Sequence, residues 1–373
     1  MKFIRGINVG RVEIGQQKTV ERKDDIEMEL QWNWEYLTEV MEKLIETPSP
    51  VSYYEEINPL MEKLAAELGY EVTYDRKHTV YIKVPGRNRE KTVCVGAHLD
   101  TLGLMVKRID GDGMIRVRNL GGINFNNIEG ETVTVHTRSG KTYTGLVACQ
   151  SHSVHVYDDA RTLERNENTM MVILDEDVHS KEEVKALGIE NGDILSLEPH
   201  FTVTPNGFIK SRFIDNKACA ACSLALLKAM KEQNLTPACD TWFVFPHYEE
   251  IGHGGAYVPD EVSEYLALDI AVIGPDHNGR EDRVSICVKD NFSPYDRELT
   301  DRLVRKAEAL QLNYAADVFY RYGTDGSAAV RAGHNLKAGA FGMGTFSSHG
   351  IERTHMDGVK NTARLLAAYV LED

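Results

Sequence analysis

Apolar residues recur at helical spacing from Trp34 to Ile45, stop at Thr47-Pro48-Ser49-Pro50, and resume through Leu60, Leu64 and Leu68. This predicts two helices separated by a proline break. The run Thr92-Val93-Cys94-Val95-Gly96-Ala97 lacks polar alternation, so it reads as a buried strand that delivers His98-Leu99-Asp100 to its C-terminal end. Between about Met105 and Phe208 the texture changes. Short alternating segments at Met114 to Val117, Thr132 to Thr137, Tyr143 to Val147 and Met170 to Leu174 lie between Gly, Asn and Asp turns, which predicts a small all-β unit. Helix and strand then alternate again, with helices expected over Lys217 to Gln233 and Leu299 to Gln311 and strands over Thr241 to His247 and Ala267 to Ile273. The organisation that explains this order most simply is a discontinuous α/β domain, residues 31–105 plus 206–373, with an inserted β-domain at 106–205 and an N-terminal extension at 1–30.

Composition narrows the function classes. No stretch of the 373 residues approaches the roughly 20 uncharged apolar residues of a membrane span, and Met1 to Glu29 has no continuous apolar core of the secretory kind. A cytoplasmic protein is expected, with Met28 as an alternative start. The net charge of −15 argues against binding nucleic-acid backbones, which takes clustered Lys and Arg. Cys94, Cys149, Cys219, Cys222, Cys239 and Cys287 lack the spacing of a disulfide framework, so a reducing compartment fits. Cys219 and Cys222 form a CxxC pair, but no second pair exists to complete a zinc site, and helix packing is the expected role.

Ligand-type side chains stand at strand ends and at one helix start. In a strand, residues i and i+2 share a face, so His98 can bind a metal while Asp100 holds the other imidazole nitrogen in the required tautomer. Glu249 and Glu250 follow an apolar strand, where adjacent carboxylates repel unless a cation or proton compensates. Adjacent side chains point apart, so one can bind a metal while the other faces water. Asp215 precedes an Ala- and Cys-rich helix and is read either as an N-cap or as a ligand between metals. Asp269 falls within an apolar run, where a carboxylate without a partner would cost several kcal/mol.

Taken in order, H-x-D, D-N-K, E-E-x-G, A-x-D and G-T-D followed by a His resemble the tetrahedral aminopeptidases, the glutamyl aminopeptidase or endoglucanase-M-like metallopeptidase family, over roughly residues 34–370. The resemblance implies an α/β peptidase domain with a central mixed sheet, interrupted by a small barrel-like domain used in oligomerisation. It further implies two divalent metal ions, zinc or cobalt with manganese as the alternative. His98 and Asp269 would hold one ion, Glu250 and a C-terminal His the other; Asp215 would bridge them and Glu249 would be the general base. The expected step is attack of a metal-bridging hydroxide on the scissile carbonyl. For the last ligand, the family's R-Y-x-H-S-P is replaced here by Phe346-Ser347-Ser348-His349-Gly350-Ile351-Glu352-Arg353-Thr354-His355. Counting from the strand Gly339 to Gly342 places His349 in register, whereas His355 needs a longer gap. Thr324 and Asp325, in Gly323-Thr324-Asp325-Gly326, are the candidate substrate-lining loop, with a turn and helix cap as the alternative. The stretch Ser348 to His355 also resembles a subgroup linked to bacterial osmoprotectant dipeptide gene clusters, which implies a small peptide or modified dipeptide as substrate.

The partners implied are a short peptide and further copies of the chain, in a dimer-built homo-oligomer of up to a dodecamer. Competing readings are a two-metal deacylase of N-acyl amino acids or modified dipeptides, a metal-free glycosidase built on the carboxylate pair, and a non-catalytic assembly protein.

Overall fold

The computed structural model describes residues 30–372. The expected N-terminal extension falls almost entirely outside these residues.

The helix Trp34–Glu46 forms where the spacing predicts it. Leu37, Val40, Met41, Leu44 and Ile45 make one buried stripe, and Asn33 caps the start by accepting from Tyr36 N at 2.9 Å. This stripe packs on the helix Ile214–Glu232, which in turn packs on Met356–Leu371. The central helix is buried nearly all round, and its run of Ala218, Cys219, Ala220, Ala221 and Cys222 keeps it thin enough to sit between its neighbours. Cys219 Sγ lies 3.5 Å from Met343 Sδ, and Cys222 Sγ faces Val359 O. Both cysteines of the CxxC pair are free and buried, as packing requires.

Against these helices lies a nine-stranded mixed sheet. Its middle is four adjacent parallel strands in the order Cys239–Phe245, Asn88–Gly96, Val262–Leu268 and Lys337–Thr345. Parallel neighbours end on the same edge of the sheet, so residues that follow these strands in sequence meet in space.

The strand expected over Ala267 to Ile273 is broken in the structure into Val262–Leu268 and Ala271–Val272, with Asp269 at the break. Asp269 N donates to Phe341 O at 3.1 Å. At Gly342 a Cβ would lie 2.0 Å from Asp269 O, so only glycine lets the chain turn there. The helix expected from Lys217 begins instead at Ile214, across non-helical backbone at Asp215 and Asn216, and the Asp215–Asn216 peptide is cis.

Between Gly103 and Leu197 the chain forms a closed antiparallel barrel, in the strand order Gly103–Ile109, Ile115–Leu120, Met170–Leu174, Thr142–Cys149, Thr132–His136 and Ile194–Leu197. Leu104, Val106, Ile115, Val117, Val133, Val135, Val147, Val172 and Leu195 fill it. A short helix, Lys181–Ala186, departs from the all-β expectation. Ser180 accepts from Glu183 N, and Glu182 and Glu183 sit in the first turn, so local capping outweighs its small size. The chain returns through Phe208–Ser211, which pairs with Glu352–His355.

Candidate functional site

At the C-terminal edge of the four parallel strands, His98 follows one strand, Glu249 and Glu250 a second, Asp269 a third, and His349 the fourth. Asp215 arrives at the kinked entrance of the central helix. The ligand-capable atoms of His98, Glu249 and Asp269 lie within 4.8 Å of one another, as do those of His98, Asp215 and Glu250. His98 Nε2 is 3.2 Å from Asp215 Oδ1 and 3.7 Å from Glu249 Oε2. On the other side, His349 Nε2 is 3.4 Å from Glu250 Oε2 and 3.8 Å from Asp215 Oδ2. Asp215 therefore turns its two oxygens toward different imidazoles.

Electrostatically the cluster is unbalanced. Glu249, Glu250 and Asp269 are pushed well above the ordinary carboxylate range, first by burial and then by neighbouring carboxylates: Asp269, Asp325 and Glu250 act on Glu249, Asp215, Asp100 and Glu352 on Glu250, and Asp215 and Asp325 on Asp269. Burial acts on Asp215 in the same direction, but the hydrogen bond with His98 and the charges of His98 and His349 outweigh it and hold Asp215 low. Burial pulls His98 down, yet hydrogen bonds to Asp100 and Asp215 and the charge of Glu249 leave it well above the usual imidazole range. Among the described residues, the only ion-pair partners of Asp215, Glu249 and Glu250 are these two histidines. Packed carboxylates with imidazole nitrogens and no Lys or Arg make an oxygen and nitrogen donor set that fits divalent metal ions.

Around the cluster, several side chains serve as scaffolding. Asp100 does more than the expected orientation of His98. His98 Nδ1 faces Asp100 O at 3.0 Å and the carboxylate Oδ1 at 3.5 Å, while the two carboxylate oxygens accept from Glu249 N and Glu250 N, each at 3.1 Å. The consecutive amides at the strand exit offer paired donors, and the buried carboxylate satisfies both. Glu352, fully buried, accepts from Asp215 N at 3.0 Å and His349 N at 3.1 Å. Ser348 Oγ donates to Asp215 Oδ2 at 3.1 Å.

The expected substrate-lining loop reaches the cleft at Gly323 and Thr324 but not at Asp325. Asp325 is 4% exposed and accepts from Gly255 N, so it braces the loop that follows Glu250 instead of facing the cleft. Burial pushes its carboxyl up to about 7. Thr324 does line the cleft, but its Oγ1 is engaged as a helix cap with Gly326 N at 3.2 Å and with Tyr295 Oη at 2.6 Å. His355 lies away from the cluster: its Nδ1 accepts from Asp357 N at 3.1 Å and its Nε2 donates to Asn206 O at 2.8 Å.

The cluster floors an open cleft of about 390 Å³ whose walls include Phe292, Arg321, Tyr322, Arg331 and Ser348. Sequence reading did not single out Phe292, Arg321 or Arg331, which lie outside the motifs. Glu352 stands three residues after His349, where the family's R-Y-x-H-S-P motif continues to a Glu, and the structure shows what it holds.

The mixed sheet interrupted by a closed barrel matches the fold of the TET aminopeptidases. The TET aminopeptidase of a marine-sediment Thaumarchaeota archaeon superposes with a TM-score of 0.81 at 18% identity, covering 91% of this chain and 96% of the other. The TET1 peptidase of Pyrococcus horikoshii gives 0.79 at 22% identity, covering 90% and 100%. YhfE of Bacillus subtilis (strain 168), named as a candidate aminopeptidase, is 40% identical over 333 residues, 89% of this chain and 96% of its own. Lysyl aminopeptidase of Pyrococcus furiosus is 27% identical over 281 residues, 72% and 78% of the respective chains. The model of the M42 glutamyl aminopeptidase family matches residues 79–365. The chain belongs to that family and is an enzyme of the aminopeptidase class.

Proposed function

We propose that the chain is a two-metal aminopeptidase that releases N-terminal residues from short peptides. The carrying observation is the carboxylate of Asp215, whose Oδ1 faces His98 and whose Oδ2 faces His349. In this reading His98 and Asp269 hold one divalent ion, Glu250 and His349 hold the other, and Asp215 serves both. Bound zinc or cobalt, or manganese, supplies Lewis acidity toward water and the scissile carbonyl.

The protein's own part is positioning and proton transfer. Glu249 is the general base: its backbone is pinned by Asp100 and its carboxylate reaches the cluster, which positions it to take a proton from the attacking water and return it to the leaving amine. The acidic floor attracts a peptide's α-ammonium group, and the cleft's size suits a short peptide. We place the enzyme in the cytoplasm, which the buried thiols of Cys94, Cys149, Cys219, Cys222 and Cys287 favour, and assign the barrel to contacts between copies. The P. horikoshii TET1 peptidase can assemble into a tetrahedron or a large octahedral shell, and a dimer-built oligomer up to a dodecamer is the corresponding proposal here.

Stripped protein reloaded with zinc, cobalt or manganese should cleave amino-acid anilides and short peptides, and chelation should abolish this. Glu249→Gln should keep its metal content while turnover falls about 10²- to 10⁴-fold. Metal loss in that variant would reassign Glu249 as a ligand. Release only from N-acyl amino acids would replace the aminopeptidase reading with the deacylase.

A further inference from the structure

The two histidines of the cluster are both fixed through Nδ1, and the acceptor for His349 comes from the barrel. His349 Nδ1 lies 3.0 Å from Gly122 O. A carbonyl oxygen can only accept, so this contact puts the proton on Nδ1 and leaves Nε2 to face Glu250 and Asp215. Gly122 belongs to the turn that follows the barrel strand Ile115–Leu120.

The turn is shaped for this approach. Gly121 has φ +77°, and a Cβ there would meet Leu102 Cδ2 at 2.5 Å, Glu250 O at 3.2 Å and Glu250 Cβ at 3.3 Å. A Cβ on Gly122 would meet His349 Nδ1 at 3.0 Å and Cε1 at 3.2 Å. Asn119 Nδ2 donates to Gly121 O at 2.6 Å and Ile123 N donates to the same oxygen at 3.1 Å, which holds the turn's shape from within the barrel segment. Two further contacts dock the barrel beside it: Arg212 Nη2 donates to Asn127 O at 2.6 Å, and Gly350, next to His349, lies so close to Asn127 that a Cβ would meet Asn127 Nδ2 at 2.5 Å.

We infer that the barrel completes the metal site: the Gly121–Gly122 turn is a positioning element that sets the tautomer and aim of His349, so the second ion's binding depends on the barrel's docking. The inference rests on the two-metal reading above. It gives the inserted segment a role inside each subunit, whatever contacts it makes between copies.

The test is cobalt(II) titration of the full-length, metal-stripped protein, read by elemental analysis after equilibrium dialysis and by the cobalt absorption band. Gly122→Ala should bind its first equivalent as wild type does and its second about tenfold more weakly. Gly111→Ala, in a barrel turn where a Cβ meets nothing within 4 Å, is the matched control and should bind both normally. Combining Gly122→Ala with His349→Ala should cost no more than His349→Ala alone, because the turn acts only through that imidazole. Melting of the metal-free Gly122→Ala and Gly111→Ala variants should agree. Wild-type affinity for both equivalents in Gly122→Ala, or an equal added loss in the His349→Ala background, overturns the inference alone. A wild-type chain that takes up no second equivalent overturns it together with the two-metal reading.

Discussion

Two imidazoles reach Asp215 from opposite sides, and they are held in different ways. His98 is 2% exposed at the end of a central strand, and its Nδ1 is fixed by Asp100, two residues along the chain. The side chain of His349 is 36% exposed on a loop, its φ is +66°, and its Nδ1 is fixed by Gly122, 227 residues away. One half of the cluster is thus made by local sequence and a buried sheet edge; the other rests on a contact from the barrel, far away along the chain. On the two-metal proposal, a site built this way has a firm half and a conditional half.

Removing the firm half should have the largest effect. In the proposed arrangement His98 holds one ion and touches the shared Asp215, so His98→Ala should lose that equivalent of metal, weaken the other through Asp215 and reduce peptide hydrolysis to background, measured by elemental analysis beside turnover. Retention of one full equivalent would show that the two halves are independent.

Asp100→Asn should come next. The amide offers a donor where Glu249 N or Glu250 N needs an acceptor, and metal affinity should fall about 10- to 100-fold. Both equivalents should weaken, in contrast with Gly122→Ala, where only the second should. Loss confined to one equivalent would mean that Asp100 acts on His98 and not on the Glu249–Glu250 turn.

His355→Ala should have the smallest effect. Its imidazole caps Met356–Leu371, so the variant should keep its metals and lose about 1 kcal/mol of stability in denaturant unfolding. Metal loss would move the conditional ligand from His349 to His355.

Much of this comparison is legible in the sequence, for a physical reason. Where an apolar strand stops at His98, at Glu249–Glu250 or at Asp269, the side chain that follows sits at a sheet edge, and parallel neighbours share that edge. The contrast between buried α/β runs and short alternating β segments likewise marks the barrel strands, because burial on two faces and on one face leaves different periodicities. What could not be read is what depends on docking. Gly122 looks like any turn glycine, and nothing local says that its carbonyl meets His349. The Gly-Thr-Asp-Gly loop reaches the cleft at Thr324, but the direction of Asp325 is set by Gly255 across the site. Arg321 and Phe292, on loops, and Arg331, at the end of the helix Asp325–Arg331, line the cleft only because separate segments fold over the sheet edge.

The most direct test of the account is anomalous diffraction from crystals of the full-length chain loaded with zinc or cobalt. Two peaks should appear, one on each side of the Asp215 carboxylate, with His98 and Asp269 around one and Glu250 and His349 around the other. A single peak, or an Asp215 carboxylate that touches neither ion, would contradict it.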